Sequence, residues 1–142
     1  MANSTTTKER MAAKEKSAAP MTMMSVVVPA IAWFIPGSGH LIQKRWGRGV
    51  LLFASITTMF LLGLAMQGHV YQPNSGDILD ILGFIGDIGA GGLYVVTRAM
   101  DWGQGAIAHA TADYGTKFII VSGLLNFIAT ADAYHIAIGK KQ

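Results

Sequence analysis

Two stretches without a single Lys, Arg, Asp or Glu constrain this chain more than anything else in it. One runs for 27 residues between Lys16 and Lys44, the other for 28 between Arg48 and Asp77. A helix that crosses a bilayer needs about 20 mainly apolar residues, at about 1.5 Å each across roughly 30 Å of hydrocarbon. Each run is long enough. Only 13% of the 142 residues are charged, against about 25% in a soluble domain, and the charges cluster instead of spreading over a solvated surface. The absence of cysteine excludes a disulfide-stapled fold. The net charge of +3 sits in short basic groups beside apolar segments, which addresses the lipid bilayer, so no nucleic-acid partner is expected.

Residues 1–20 form a polar tail and residues 21–141 a membrane helical domain. In the tail, Thr6 and Glu9 have capping-box spacing for a short helix over residues 8–19. A cleaved signal peptide is argued against by Glu9 and Glu15 in the would-be basic region. Four apolar segments follow, at about 21–35, 49–66, 78–97 and 116–138. The first contains Pro29 and stops at Pro36-Gly37-Ser38-Gly39; the second is approached through Lys44, Arg45, Trp46 and Arg48, which suit interface anchors. A short interfacial helix is expected over residues 106–114. All seven tryptophans and tyrosines fall near segment ends, as an aromatic belt requires. The expected fold is an all-α integral membrane bundle of about four apolar helices, the first kinked at Pro29 and its crossing left open.

Orientation turns on that first segment. With four spans and the amino terminus inside, Lys and Arg divide six inside and five outside, which is no bias. If the first segment instead re-enters at Pro29 or lies in the interface, the division becomes nine inside and two outside and satisfies the positive-inside rule; against this, its uncharged run is long enough to cross, and an odd number of spans puts Lys140 and Lys141 outside.

The third segment, ILDILGFIGDIGAGGLYVVT, is marginal as a span. Its apolar residues each favour insertion by about 0.3 to 0.6 kcal/mol, while a central Asp87 opposes it by about 2.5 to 3.5. Five glycines from Gly83 to Gly92 permit close helix contact or an unwound stretch buried in protein. Asp77, Asp80 and Asp87 share roughly an 80° arc of one helix face and suit a cation or proton path. Alternatively, Asp87 bonds to Ser55, Thr58, Ser122 or Asn126 and ties helices together. Asn126 shares its face with Ser122, whereas Asp132 lies about 120° away and pairs with His135 at i and i+3. His109 with Asp113 is a second two-ligand pair. Neither pair has the further ligands that a metal site needs, and no metal is expected. His40 and His69 are candidate axial ligands of a haem or chlorin, or simply polar anchors beside turns.

Several blocks together resemble an uncharacterised family of small bacterial multi-span membrane proteins. They are Pro36-Gly37-Ser38-Gly39-His40-Leu41, Arg48-Gly49-Val50-Leu51-Leu52, Tyr114-Gly115-Thr116 with Phe118, and Leu124-Leu125-Asn126 with Asp132-Ala133-Tyr134 and residues 136–141. Departures occur at Ile42-Gln43-Lys44, where an aromatic and a glycine are usual, and at His135, where an acidic residue is usual. The resemblance implies a multi-pass protein of the bacterial cytoplasmic membrane and supplies no chemistry.

Gly37-Ser38-Gly39 lacks the frame of a nucleophile elbow, and Gly103-Gln104-Gly105 lacks a strand-helix context for a dinucleotide. No catalytic residue is expected. The expected function is association, as an accessory subunit of a larger membrane complex or a homo-oligomer. A small proton or cation channel using Asp80 and Asp87 is the alternative, and tetrapyrrole binding through His40 or His69 a second.

Overall fold

The computed structural model describes residues 23–73, 76–105 and 110–140. The expected tail helix, residues 106–109 of the expected interfacial helix, and His109 lie outside the described residues. Within them the chain forms helices α1 (Met23–Phe34), α2 (Ser38–Ile42), α3 (Trp46–Ala65), α4 (Ile78–Ile88), α5 (Gly92–Ala99) and α6 (Ala110–Ala137). No named strand occurs among the described residues.

Among the described residues, only α3 and α6 are long and apolar enough to cross a membrane individually, with mean hydropathies of 1.7 and 1.4. They run antiparallel. Gly63, near the end of α3, lies against Gly115 and Ile119 near the start of α6. A side chain at Gly63 would meet backbone, so its absence lets the two helices approach closely.

The first and third apolar segments each break into two helices at a sharp turn. In the first, α1 packs Val28 and Ala32 against Ala133 of α6. The helix runs uninterrupted through Pro29, and the chain reverses at residues 35–37, where Gly37 takes a left-handed φ of 75°. Helix α2 then comes back beside the same end of α6, with Gly39 wedged between Ala32 and Ala133. In the second hairpin, α4 and α5 are bent by 110° at their junction. Both of its outer ends meet the connection between α3 and α4. The Tyr71 ring covers Gly83 of α4, and the Val70 N–H donates to the Gly103 carbonyl just after α5, at 2.9 Å. The two hairpins therefore start from opposite ends of the α3/α6 pair and meet tip to tip inside it.

The two halves of the chain share one plan. Each has a half-length helix, a three-residue turn ending in a left-handed glycine (Gly37 or Gly91), a short return helix and then a long helix. Each return helix closes the same way. Arg45 N–H donates to His40 O and Trp102 N–H to Thr97 O, both at 2.9 Å, beside positive-φ residues Lys44 and Asp101. These are Schellman closures, which satisfy end-of-helix carbonyls. A half-helix hairpin followed by a span, in opposite senses, is the plan of an inverted repeat.

Burial is turned inside out relative to a soluble domain. Asp87, Ser122 and Asn126 are wholly buried, while Leu51, Leu82 and Ile128 are 63–69% exposed. Small and polar side chains face the neighbouring helices and large aliphatic ones face outward, as expected where hydrocarbon is the solvent.

Candidate functional site

The meeting point of the hairpins is organised by Asn126 of α6. Its Nδ2 donates to the Trp33 carbonyl at the end of α1 and to the Gly89 carbonyl at the end of α4, both at 2.9 Å. Both acceptors belong to helix C-termini, whose last carbonyls lack intrahelical donors. The amide has two N–H groups and uses one on each tip. Trp33 adds a third tie, its Nε1–H donating to the Ile88 carbonyl at 3.1 Å. That indole is thus spent on the opposing hairpin and not on a headgroup layer. Close approach is enforced by glycine: a Cβ on Gly91 would overlap the Trp33 carbonyl, and Gly91 has a left-handed φ of 59°.

Asp87 is the next-to-last residue of α4 and is fully buried. Its Oδ2 accepts the Tyr71 backbone N–H at 2.7 Å, and its Oδ1 is buried without a partner. The expected partners are elsewhere. Ser55 and Thr58 lie on the outward face of α3, Ser122 donates to the Ile119 carbonyl at 2.6 Å, and Asn126 is spent on the tips. The expected acidic stripe is interrupted: Asp77 caps α4 by accepting the Leu79 N–H at 3.0 Å, and the Tyr71 ring covers Gly83 between Asp80 and Asp87. Burial raises the Tyr71 phenol above its usual range, and Asp80 and Asp87 add to the shift.

His40 is buried, and its Nε2 lies 3.1 Å from Asp132 Oδ2. With an ionised Asp132 the proton sits on Nε2, leaving Nδ1 as a buried acceptor without a partner. Asp132 therefore pairs across the hairpin–span contact. His135, its expected partner at i+3, instead lies beside the Tyr134 ring. Gln43 strengthens the same contact by donating to the Ala133 carbonyl at 2.8 Å. An axial-ligand role for His40 would fall to Nδ1, which is buried. His69 is half-buried; its Nδ1–H donates to the Gly105 carbonyl at 3.2 Å, which leaves Nε2 in its acceptor form. Lys44, Trp46 and Arg48 are exposed and Arg45 half-buried where α3 begins, in positions suited to interface anchors.

These contacts explain the sequence blocks, because blocks far apart in the chain are opposite sides of the same contacts. Gly37 lies against the Gly49 backbone, Gly39 against Ala133, and Gly115 against the backbone of Gly63 and Gly68. Thr116 Oγ1 accepts the His69 N–H at 2.8 Å. A family model spans nearly all of this arrangement, matching residues 27–142. The chain belongs to DUF6677, a family of unknown function. No curated protein and no solved structure shows significant similarity to it. The DUF6677 match covers the second hairpin, both long helices and all of the first hairpin except residues 23–26.

Proposed function

We propose that this DUF6677 chain is an integral protein of a bacterial cytoplasmic membrane with two spans and two re-entrant hairpins, both chain ends lying on the cytoplasmic side. The distribution of Lys and Arg supports that orientation. Lys44, Arg45, Arg48 and Lys140 lie toward the end bearing the first hairpin, and the residues preceding Met23 and following Lys140 in sequence add Lys8, Arg10, Lys14, Lys16 and Lys141. Only Arg98 and Lys117 belong to the other end. Nine against two is the strong form of the positive-inside bias.

Within that membrane the chain acts by association, as an accessory subunit of a larger complex or as a homo-oligomer, without catalysis. The observation that carries this reading is the outward face of α3, where Ala54, Ser55 and Thr58 are exposed in mid-span. Small and hydroxyl-bearing side chains are what helix–helix contacts in membranes use. Solubilisation in a mild detergent, followed by light scattering, tests it. The expected particle exceeds one 15.1 kDa chain, and Ser55→Leu with Thr58→Leu reduces it; a lone monomer with no companion overturns the reading.

A proton or cation path is the second reading, favoured by the unpartnered, buried Oδ1 of Asp87. It requires that Asp87→Asn abolish flux in liposomes, and unchanged flux removes it.

A further inference from the structure

Between α3 and α5 runs an apolar slot of about 260 Å³. Phe53, Phe60 and Leu64 form one wall, Leu93 and Val96 the other, and Pro36 at the first hairpin's tip forms the floor. From Phe53 to Leu64 the slot follows α3 for about 16 Å. At its far end Leu61, Leu64 and Trp102 are shared with a wider depression of about 600 Å³, made polar by Gln67, Gln104 and the backbone of Gly103 and Gly105.

Size decides what fits. A volume of 260 Å³ along that length leaves a mean section of about 16 Å², that of one hydrocarbon chain with carbon contacts at about 4 Å. A partner helix, 10–12 Å across, needs about five times more. Charge decides the rest. No charged side chain lines the slot or the depression. Among the described residues at this end, Asp77, Asp80, Asp101 and Asp113 outnumber Arg98 and Lys117, and Lys117 is paired with Asp113 at 2.6 Å. That balance disfavours an anionic headgroup.

We propose that the slot holds one acyl chain of a zwitterionic phospholipid, whose headgroup rests on the Gln67/Gln104 depression. This rests on the membrane reading above, and the test separates the two. The full chain is reconstituted in phosphatidylcholine vesicles containing a small fraction of phosphatidylcholine with a diazirine on its acyl chain. Flotation first shows whether the protein is membrane-integrated, and irradiation with peptide mapping then locates the adducts.

Phe53, Leu61 and Val96 are expected to be labelled at least about threefold more than the more exposed Leu51, Leu82 and Ile128. The excess is modest because bulk lipid is equally apolar. Val96→Trp and Leu61→Trp, which fill the slot from opposite walls, each remove the excess while helicity and the labelling of Ile128 stay unchanged. Exchanging the bulk lipid and the probe for phosphatidylglycerol lowers it. Labelling that merely follows exposure, survives both fillers, or gives way to cross-links with a second polypeptide in the slot overturns the proposal for a floating protein. A protein that does not float overturns the membrane reading, and this one with it.

Discussion

Replacing Asn126 with leucine keeps the side chain's size and removes the one amide that holds both hairpin tips. The Trp33 and Gly89 carbonyls, each now accepting at 2.9 Å, become buried acceptors without donors. In soluble cores such a loss costs about 1–3 kcal/mol per group, whereas hydrogen bonds between membrane helices average about 0.6 kcal/mol. Two groups at a wholly buried site set a floor near 1.2 kcal/mol, and we expect about 2 kcal/mol, roughly thirtyfold in the folding equilibrium. Reversible unfolding in mixed micelles, followed by helicity, measures this. Because the chain has no cysteine, Phe34→Cys at the first tip supplies an independent readout, and its reaction with a thiol reagent should quicken in the Asn126→Leu background. Ser122→Ala is the control. That hydroxyl serves only its own helix, so the change should stay within about 0.5 kcal/mol. If Asn126→Leu matches the parent in stability and thiol reactivity, apolar packing alone holds the tips and Asn126 is not their tie.

Three further outcomes follow from the same geometry. Gly123→Ala would drive a Cβ into the Gly86 carbonyl, with the Ala90 nitrogen 2.9 Å away. It should cost about 3 kcal/mol or more and yield no monodisperse protein, whereas Gly47→Ala, with open space around it, should be neutral or stabilising by up to about 1 kcal/mol. Asp132→Leu should destabilise by about 1–3 kcal/mol in the same unfolding measurement, because it strips the buried His40 of its partner, and Asp132→Asn, whose amide oxygen can still accept from Nε2, should recover most of that loss. A membrane-impermeant maleimide should reach Ile78→Cys and Met100→Cys from one side of the membrane and Lys140→Cys from the other. Ile78 and Met100 on opposite sides would make α4 and α5 a single broken span.

The four apolar segments were legible because hydropathy and charge gaps report local burial directly. The ends of α1 and α4, at Phe34 and Ile88, fall beside Pro36-Gly37 and Gly89–Gly92, where breakers are plain to see. Periodicity does not say whether a broken segment continues across or turns back. That is decided by which connection its far end meets, here residues 67–71, and such a contact leaves no local trace. The charge count did not settle the first segment: its nine-to-two division left Lys140 and Lys141 in the minority, whereas two hairpins would leave Arg98 and Lys117 there; the reversal lies at Pro36-Gly37, not at Pro29. The partner of Asp87 could not be read, because it is a backbone N–H in a loop and every residue but proline carries one. His40 with Asp132 was equally hidden, at a separation of 92 residues. The useful trace was the pair of blocks themselves, Pro-Gly-x-Gly-His and Asp-Ala-Tyr, which are two halves of one contact.

The tie between Trp33 and Asn126 spans 93 residues of chain, and this sets a timetable for biosynthesis. At about 5–20 residues per second, the ribosome needs roughly 5–20 s after making the first hairpin to deliver the amide that closes it. During that interval the carbonyls at the end of α1 have neither Asn126 nor the opposing hairpin, and bare hydrocarbon offers them no donor. On the re-entrant reading proposed above, the nascent first hairpin would wait at the aqueous surface or in the hydrated interior of the insertion machinery and move to its final depth when α6 arrives. Truncation before residue 126 should accordingly leave a chain with one stable span and a first hairpin held outside the membrane.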